Sequence, residues 1–211
     1  MTLPRSATKG VFVNCPFDDE YRPCHLAIML CVVACGLEPR SALESGSASR
    51  SRMQRIGHAL RESDYSIHDL TRAFGDLDQG NLARLNMPFE FGMAFLFAEN
   101  ATELGRDHEW CALLPESHPY GEFISDLAGY DLETHGGTPE SIIPPVLSWL
   151  WTRDVGPQPP DLNPITLIGM MEELIVLVEA AERSWAGHLP FQELVRVIRD
   201  LVASRLGEGE S

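Results

Sequence analysis

Residues 10–36 read GVFVNCPFDDEYRPCHLAIMLCVVACG, and this stretch decides the fold. Val11, Phe12 and Val13 form an unbroken apolar run, as expected of a strand covered on both faces. Asn14 and Cys15 arrive at its carboxyl end, and Pro16 stops it. Asp18, Asp19 and Glu20 then offer a cap and an acidic first turn to a helix carrying LAIMLCVVAC, which Gly36 closes. A central strand feeding an apolar helix is the opening of a parallel α/β sheet, because parallel neighbours need a crossover.

Working outward, residues 37–43 form a second strand, placed at an edge by Pro39, which cannot donate to a central ladder. A hydroxyl-rich loop, Ser45-Gly46-Ser47-Ala48-Ser49, precedes a helix over 50–62 with Met53, Ile56 and Leu60 at helical spacing. A third strand over 65–70 ends in His68 and Asp69, and a long polar loop fills 71–85. Further on, 110–114 reads as a fourth strand closed by Pro115, 120–127 as a short helix and 130–134 as a fifth strand. Residues 138–151 are helical, with a disturbance expected at Pro144-Pro145. The prediction is an α/β, flavodoxin-like parallel sheet in order 2-1-3-4-5, flanked by helices and occupying residues 1–154. A proline-rich linker at 155–164 leads to a C-terminal helical hairpin in 165–211. The hairpin should bury Leu167, Met171, Leu174, Leu177 and Val178 on one helix, and Leu194, Ile198, Leu201 and Val202 on the other. It is expected to serve packing, a homo-oligomer or a partner protein.

One further stretch, NMPFEFGMAFLFAEN at 86–100, holds the strongest chemical signal. From Met87 to Ala98 every residue is apolar or glycine except Glu90, which fits a helix buried on most of its surface. Asn86 is the expected N-cap and Pro88 falls in the first turn. Near a helix start the macrodipole favours a carboxylate, while apolar surroundings favour its protonated form. Such a glutamate needs a partner or a task. The alternative is a carboxylate spent on backbone N–H groups at the helix start. Gly92 removes a side chain nearby and would let a ligand or strand approach.

Bulk properties narrow the function classes. The net charge of −15 disfavours nonspecific binding to nucleic acid or anionic membranes. Against that background Arg50, Arg52, Arg55 and Arg61 crowd together, as a solvated helix face or as a phosphate site. The five cysteines form no CxxC, and Cys24, Cys31 and Cys35 share one helical stripe as small hydrophobes. No metal site is expected from the spacing of the cysteines and seven histidines. The first residues lack the apolar core of a signal peptide and no apolar run reaches about 18 residues, so a cytoplasmic protein is expected.

In the order 2-1-3-4-5, ligands sit outside the carboxyl ends of strands one and three. Asn14, Cys15, His68 and Asp69 stand at those ends, and the Glu90 helix begins on the same rim. The stretches FVN, PFDDEY, SGSAS, MQRIGHALRESDYSIHDLT and MPFEFGMA together resemble the Toll/interleukin-receptor (TIR) domain and the nucleoside 2-deoxyribosyltransferase-like superfamily. The resemblance spans about residues 10–135. It implies a helix after strand three whose glutamate works on the ribosyl–base bond, with Glu90, Gly92 and Ala94 matching the transferase pattern. It further implies that Asp69 acts near the sugar and that SGSAS caps a nucleotide pocket and mediates self-association. The implied activity is N-glycosidic cleavage of NAD or a related nucleotide, in a prokaryotic antiphage or signalling setting, with NAD as substrate and no cofactor.

Such cleavage passes through an oxocarbenium-like sugar that one carboxylate can stabilise or attack, the role assigned to Glu90. Asp69 would orient ribose hydroxyls or act as a second acid; alternatively it caps the following turn. Asn14 could bind sugar or phosphate, or tie down its own loop. Arg84, Arg50 and Arg52 are candidates for the pyrophosphate, and Phe17 or Tyr21 for stacking on a base or for packing. Cys15, Ser45, His68 and Asn86 complete the candidate substrate-binding set, with His68 alternatively a core histidine. Two other readings stand beside hydrolysis: a non-catalytic nucleotide-sensing or self-assembling module, and deoxyribosyl transfer between free bases.

Overall fold

The computed structural model describes residues 8–44, 51–73, 85–100, 107–116, 125–127 and 129–207. Its strands are β1 (Gly10–Asn14), β2 (Glu38–Ser41), β3 (Tyr65–Asp69), β4 (Glu109–Pro115) and β5 (Glu133–His135). Its helices are α1 (Arg22–Ala34), α2 (Arg52–Arg61), α3 (Asn86–Glu99), α4 (Pro139–Trp151), α5 (Pro164–Ser184) and α6 (Phe191–Leu206). All strand pairs are parallel, in the order β2-β1-β3-β4-β5. The Pro39 strand is therefore the edge and β1 is interior, as the sequence predicts.

The pleat divides the core. Val11 and Val13 of β1 and Tyr65 and Ile67 of β3 pack toward α1 and α4, in a large cluster that α5 and α6 extend. Phe12 points the other way, onto Ile56, Ala59 and Leu60 of α2 and Ala94 of α3. Every residue from Cys24 to Ala34 of α1 is buried, because the sheet covers one side of that helix and the C-terminal hairpin packs against another. The inner face of the hairpin thus belongs to the same core as the sheet. Leu177 is partly exposed, contrary to the sequence reading, while Met170 is buried in its stead. Ile165, Val176 and Trp185 are exposed on the outer side.

Several local expectations need correction. Asp18–Glu20 precede α1 without forming its first turn: Tyr21 is the N-cap, and Asp18 Oδ1 accepts from the Tyr21 N–H. Met53 lies on the exposed side of α2. Pro144 and Pro145 lie inside α4, which stays one helix because Ile142, Ile143, Val146, Leu147 and Leu150 are buried around them. The N-cap of α3 is Leu85, not Asn86, and it makes no side-chain cap bond. Glu90 then falls in the second turn, where the macrodipole contributes little.

The largest departure concerns the surface of α3. Only Met87, Glu90, Phe91 and Ala94 of that helix are buried. Phe89 and Leu96 are 62% and 63% exposed, and they form an apolar stripe with Leu85 and Gly92 at helical spacing. Gly92 belongs to this outer stripe and not to the side that carries Glu90; a Cβ there would meet nothing within 4 Å. Gly92→Ala should therefore raise stability by about 0.5–1 kcal/mol through helix propensity alone. Urea unfolding checks this, and a destabilised variant would show that the position is packed.

Candidate functional site

The parallel register aligns Asn14 with His68 at the carboxyl ends of β1 and β3, neighbours in the interior of the sheet. The Asn14 side-chain amide donates to His68 Nδ1 at 3.0 Å and to the Met87 carbonyl at 3.1 Å. One buried side chain thereby joins β1, β3 and the first turn of α3. Because Nδ1 accepts, the ring proton of His68 sits on Nε2, which is buried without a hydrogen-bond partner. The ring packs against Phe91, with centroids 5.1 Å apart, and against Phe12 at 6.2 Å. Burial drives its pKa down to about 3, so His68 is a neutral core imidazole and not a general base.

One turn beyond Met87, Glu90 turns inward, with its side chain 3% exposed. Arg52 Nη2 donates to its Oε1 at 3.0 Å from the first residue of α2. That helix start is fixed by a capping box in which Ser51 Oγ accepts from the Gln54 N–H and Gln54 Oε1 accepts from the Ser51 N–H. Oε2 of Glu90 is buried with no hydrogen-bond partner among the described residues. Burial raises the pKa of this carboxyl, and the Arg52 charge and hydrogen bond pull it part of the way back. The alternative in which Glu90 serves backbone N–H groups does not occur: among the described residues its partner is Arg52.

Asp69 sits on the α1 side of the same strand ends and is fully buried. Tyr21 Oη and His135 Nε2, the latter at 2.9 Å, both approach its Oδ2, while the Thr71 N–H donates to Oδ1 at 2.8 Å. His135 Nδ1 accepts from the Gly137 N–H at 3.0 Å, which places the ring proton on Nε2, toward Asp69. Asp69 is thus a satisfied carboxylate that locks β3, β5 and the start of α1 together. Three donors already occupy its two oxygens. The cap on the following turn, through Thr71, is present.

The remaining candidates separate by face. Tyr21 is buried with its hydroxyl on Asp69, so its ring is not open to a base. Phe17 stands edge-on to His25 at 5.3 Å, in the wall of a hollow of about 140 Å³ between the start of α1 and the C-terminal hairpin. This places it with α1, on the opposite face from Glu90. Cys15 is buried, and burial, and then Asp69, push its thiol well above the ordinary range, which favours the neutral thiol. Asn86 is exposed on α3. Ser45, Arg50 and Arg84, with the SGSAS loop, lie outside the described residues. The structure therefore brings together Asn14, His68, Glu90 and Arg52. The residue that sequence reasoning missed is His135, whose signal was its place at the carboxyl end of β5.

No protein-family model matches the chain, and no curated protein matches it. Its buried histidines supply a direct check on the geometry. Burial lowers His68 to about 3 and His25 to about 4, against an ordinary value of 6.5. Between those values the unfolded chain binds more protons, so their contribution is complete above about pH 6.5 and is lost as pH falls. Urea unfolding should show stability dropping by up to ~1.4 kcal/mol per pH unit for each histidine below that point. The slope should flatten in His25→Asn; a slope unchanged by that substitution would contradict a neutral buried His25. Tyr21→Phe strips a donor from buried Asp69 and should cost about 1–3 kcal/mol in the same assay.

Proposed function

We propose that this protein is a TIR-like N-glycosidase acting on NAD or a related nucleotide, with Glu90 as its catalytic residue. One observation carries the reading: a buried carboxylate beside the carboxyl ends of β1 and β3 keeps one oxygen without a partner among the described residues. A doubly wound sheet binds its ligands at that place. The resemblance of MPFEFGMA to ribosyl-processing helices points to the same residue.

In the reaction the bond between ribose C1′ and the nicotinamide nitrogen breaks, and its electron pair stays on the ring nitrogen. The pyridinium leaves as neutral nicotinamide, so no proton donor is needed at that step. Glu90 Oε2 faces the developing oxocarbenium, either holding its charge or bonding to C1′. Water then adds to C1′ and loses a proton, giving ADP-ribose, nicotinamide and H⁺. Asp69, enclosed by its donors, serves as a positioning residue that fixes the strand ends.

Incubation of purified protein with NAD should release nicotinamide, and Glu90→Gln should slow it by about 10² or more. Turnover should fall as pH drops through the raised pKa of Glu90, because the ionised form does the work. Retention of full activity by Glu90→Gln removes the residue from the mechanism. The second reading, a self-assembling module, draws on the exposed stripe of Leu85, Phe89, Gly92 and Leu96. A second copy could pack ridge to ridge there, with Gly92 leaving room for a facing side chain. Nucleotide-dependent light scattering without base release would favour that reading.

A further inference from the structure

In a chain of net charge −15, arginines find carboxylates easily, and Arg22, Arg40, Arg72 and Arg153 each pair with one. The first turn of α2 differs. Arg55 makes no ion pair among the described residues, and its Nε is buried with no hydrogen-bond partner. Three residues earlier, Arg52 holds Glu90 while its side chain remains 51% exposed. Positions three apart on a helix are neighbours, so two guanidinium groups start from one patch beside a buried carboxylate oxygen that has no partner. Arg52 also opens α2, so the positive end of that helix adds to the same field.

We propose that Arg52 and Arg55 form the seat for a phosphate group of the substrate, and that Arg52 exchanges Glu90 for that phosphate on binding. This rests on the assignment of Glu90 above and deepens it by naming the residues that hold the substrate's phosphate and the exchange that frees Glu90. The exchange has a physical basis. Arg52 makes a single hydrogen bond to Oε1, and its own side chain is 51% exposed, so its remaining N–H groups can meet a ligand arriving from solvent. A phosphate can instead accept two parallel N–H bonds from one guanidinium, and a second set from its neighbour. With Oε1 released, the cationic nicotinamide riboside of the substrate takes the place of the guanidinium as the counter-charge of Glu90. The site therefore selects phosphorylated ribosides, such as a pyridine dinucleotide, over free nucleosides.

Two measurements test this. In steady-state assays the wild-type kcat/KM for NAD should exceed that for nicotinamide riboside by about 10² or more. In Arg52→Gln/Arg55→Gln that preference should collapse to a few-fold, chiefly through a raised KM for NAD, while Arg52→Lys keeps part of it. Independently of turnover, inorganic pyrophosphate should raise the Tm of the wild-type protein and leave that of the double variant unmoved. Both side chains reach the surface of α2, so the variant should fold, and its circular dichroism verifies that. Equal use of NAD and the riboside, unaffected by the double substitution, overturns the phosphate seat and leaves the glycosidase reading intact. A pyrophosphate shift lost in the variant, with neither substrate cleaved, supports the seat and overturns the glycosidase. A wild-type Tm that pyrophosphate does not move overturns the seat.

Discussion

The side-chain amide of Asn14 is the tie on which the rest of the site depends. Its two N–H groups are used twice, on His68 Nδ1 across the β1–β3 pair and on the Met87 carbonyl at the start of α3. A buried hydrogen bond left half-made costs the full desolvation of the abandoned group, so both contacts hold the strand ends and the helix in one arrangement. Glu90 stands one turn past Met87, and its inward aim follows from where that first turn is anchored. The same tie leaves His68 with its proton on Nε2, against Phe91. An imidazole in those surroundings stabilises the core and does no proton transfer.

A second lock works across the opposite face of the sheet. Asp69, Tyr21, His135 and the Thr71 N–H join β3, β5 and the entry to α1. Two buried polar groups thus flank the carboxyl ends of the interior strands, one on each face. The Asp69 group is closed, all of its bonds made. The Glu90 group is open, with one carboxylate oxygen left over among the described residues. A carboxylate oxygen with capacity to spare can still accept from a ligand, which the oxygens of Asp69, already holding three donors, are less able to do.

Much of this was legible in the residues. Pro39 marked the edge strand, the apolar run at Val11–Val13 marked an interior one, and the sheet order followed from both. The two apolar helices show where such reading stops. LAIMLCVVAC and MPFEFGMAFLFA look alike in composition, yet α1 is covered by the C-terminal hairpin and α3 has an exposed outer stripe. Which helix acquires a second cover is a tertiary fact that no local pattern contains. Asp69 and Glu90 were likewise found by position, but closed and open carboxylates differ only through partners distant in sequence, His135 for the one and Arg52 for the other. Arg52 read more readily as part of a solvated helix face than as a phosphate ligand, and its pairing with Glu90 belonged to neither reading.

What approaches Glu90 Oε2 decides whether this carboxylate acts on a ribosyl bond. A crystal structure of the protein with a carbocyclic NAD analogue, in which the base cannot leave, reports that contact directly. The ring carbon that replaces C1′ should lie about 3–3.5 Å from Oε2, a near-attack distance, at the carboxyl ends of β1 and β3. An analogue bound instead in the hollow beside Phe17 and His25, with Glu90 still covered by Arg52, would contradict it.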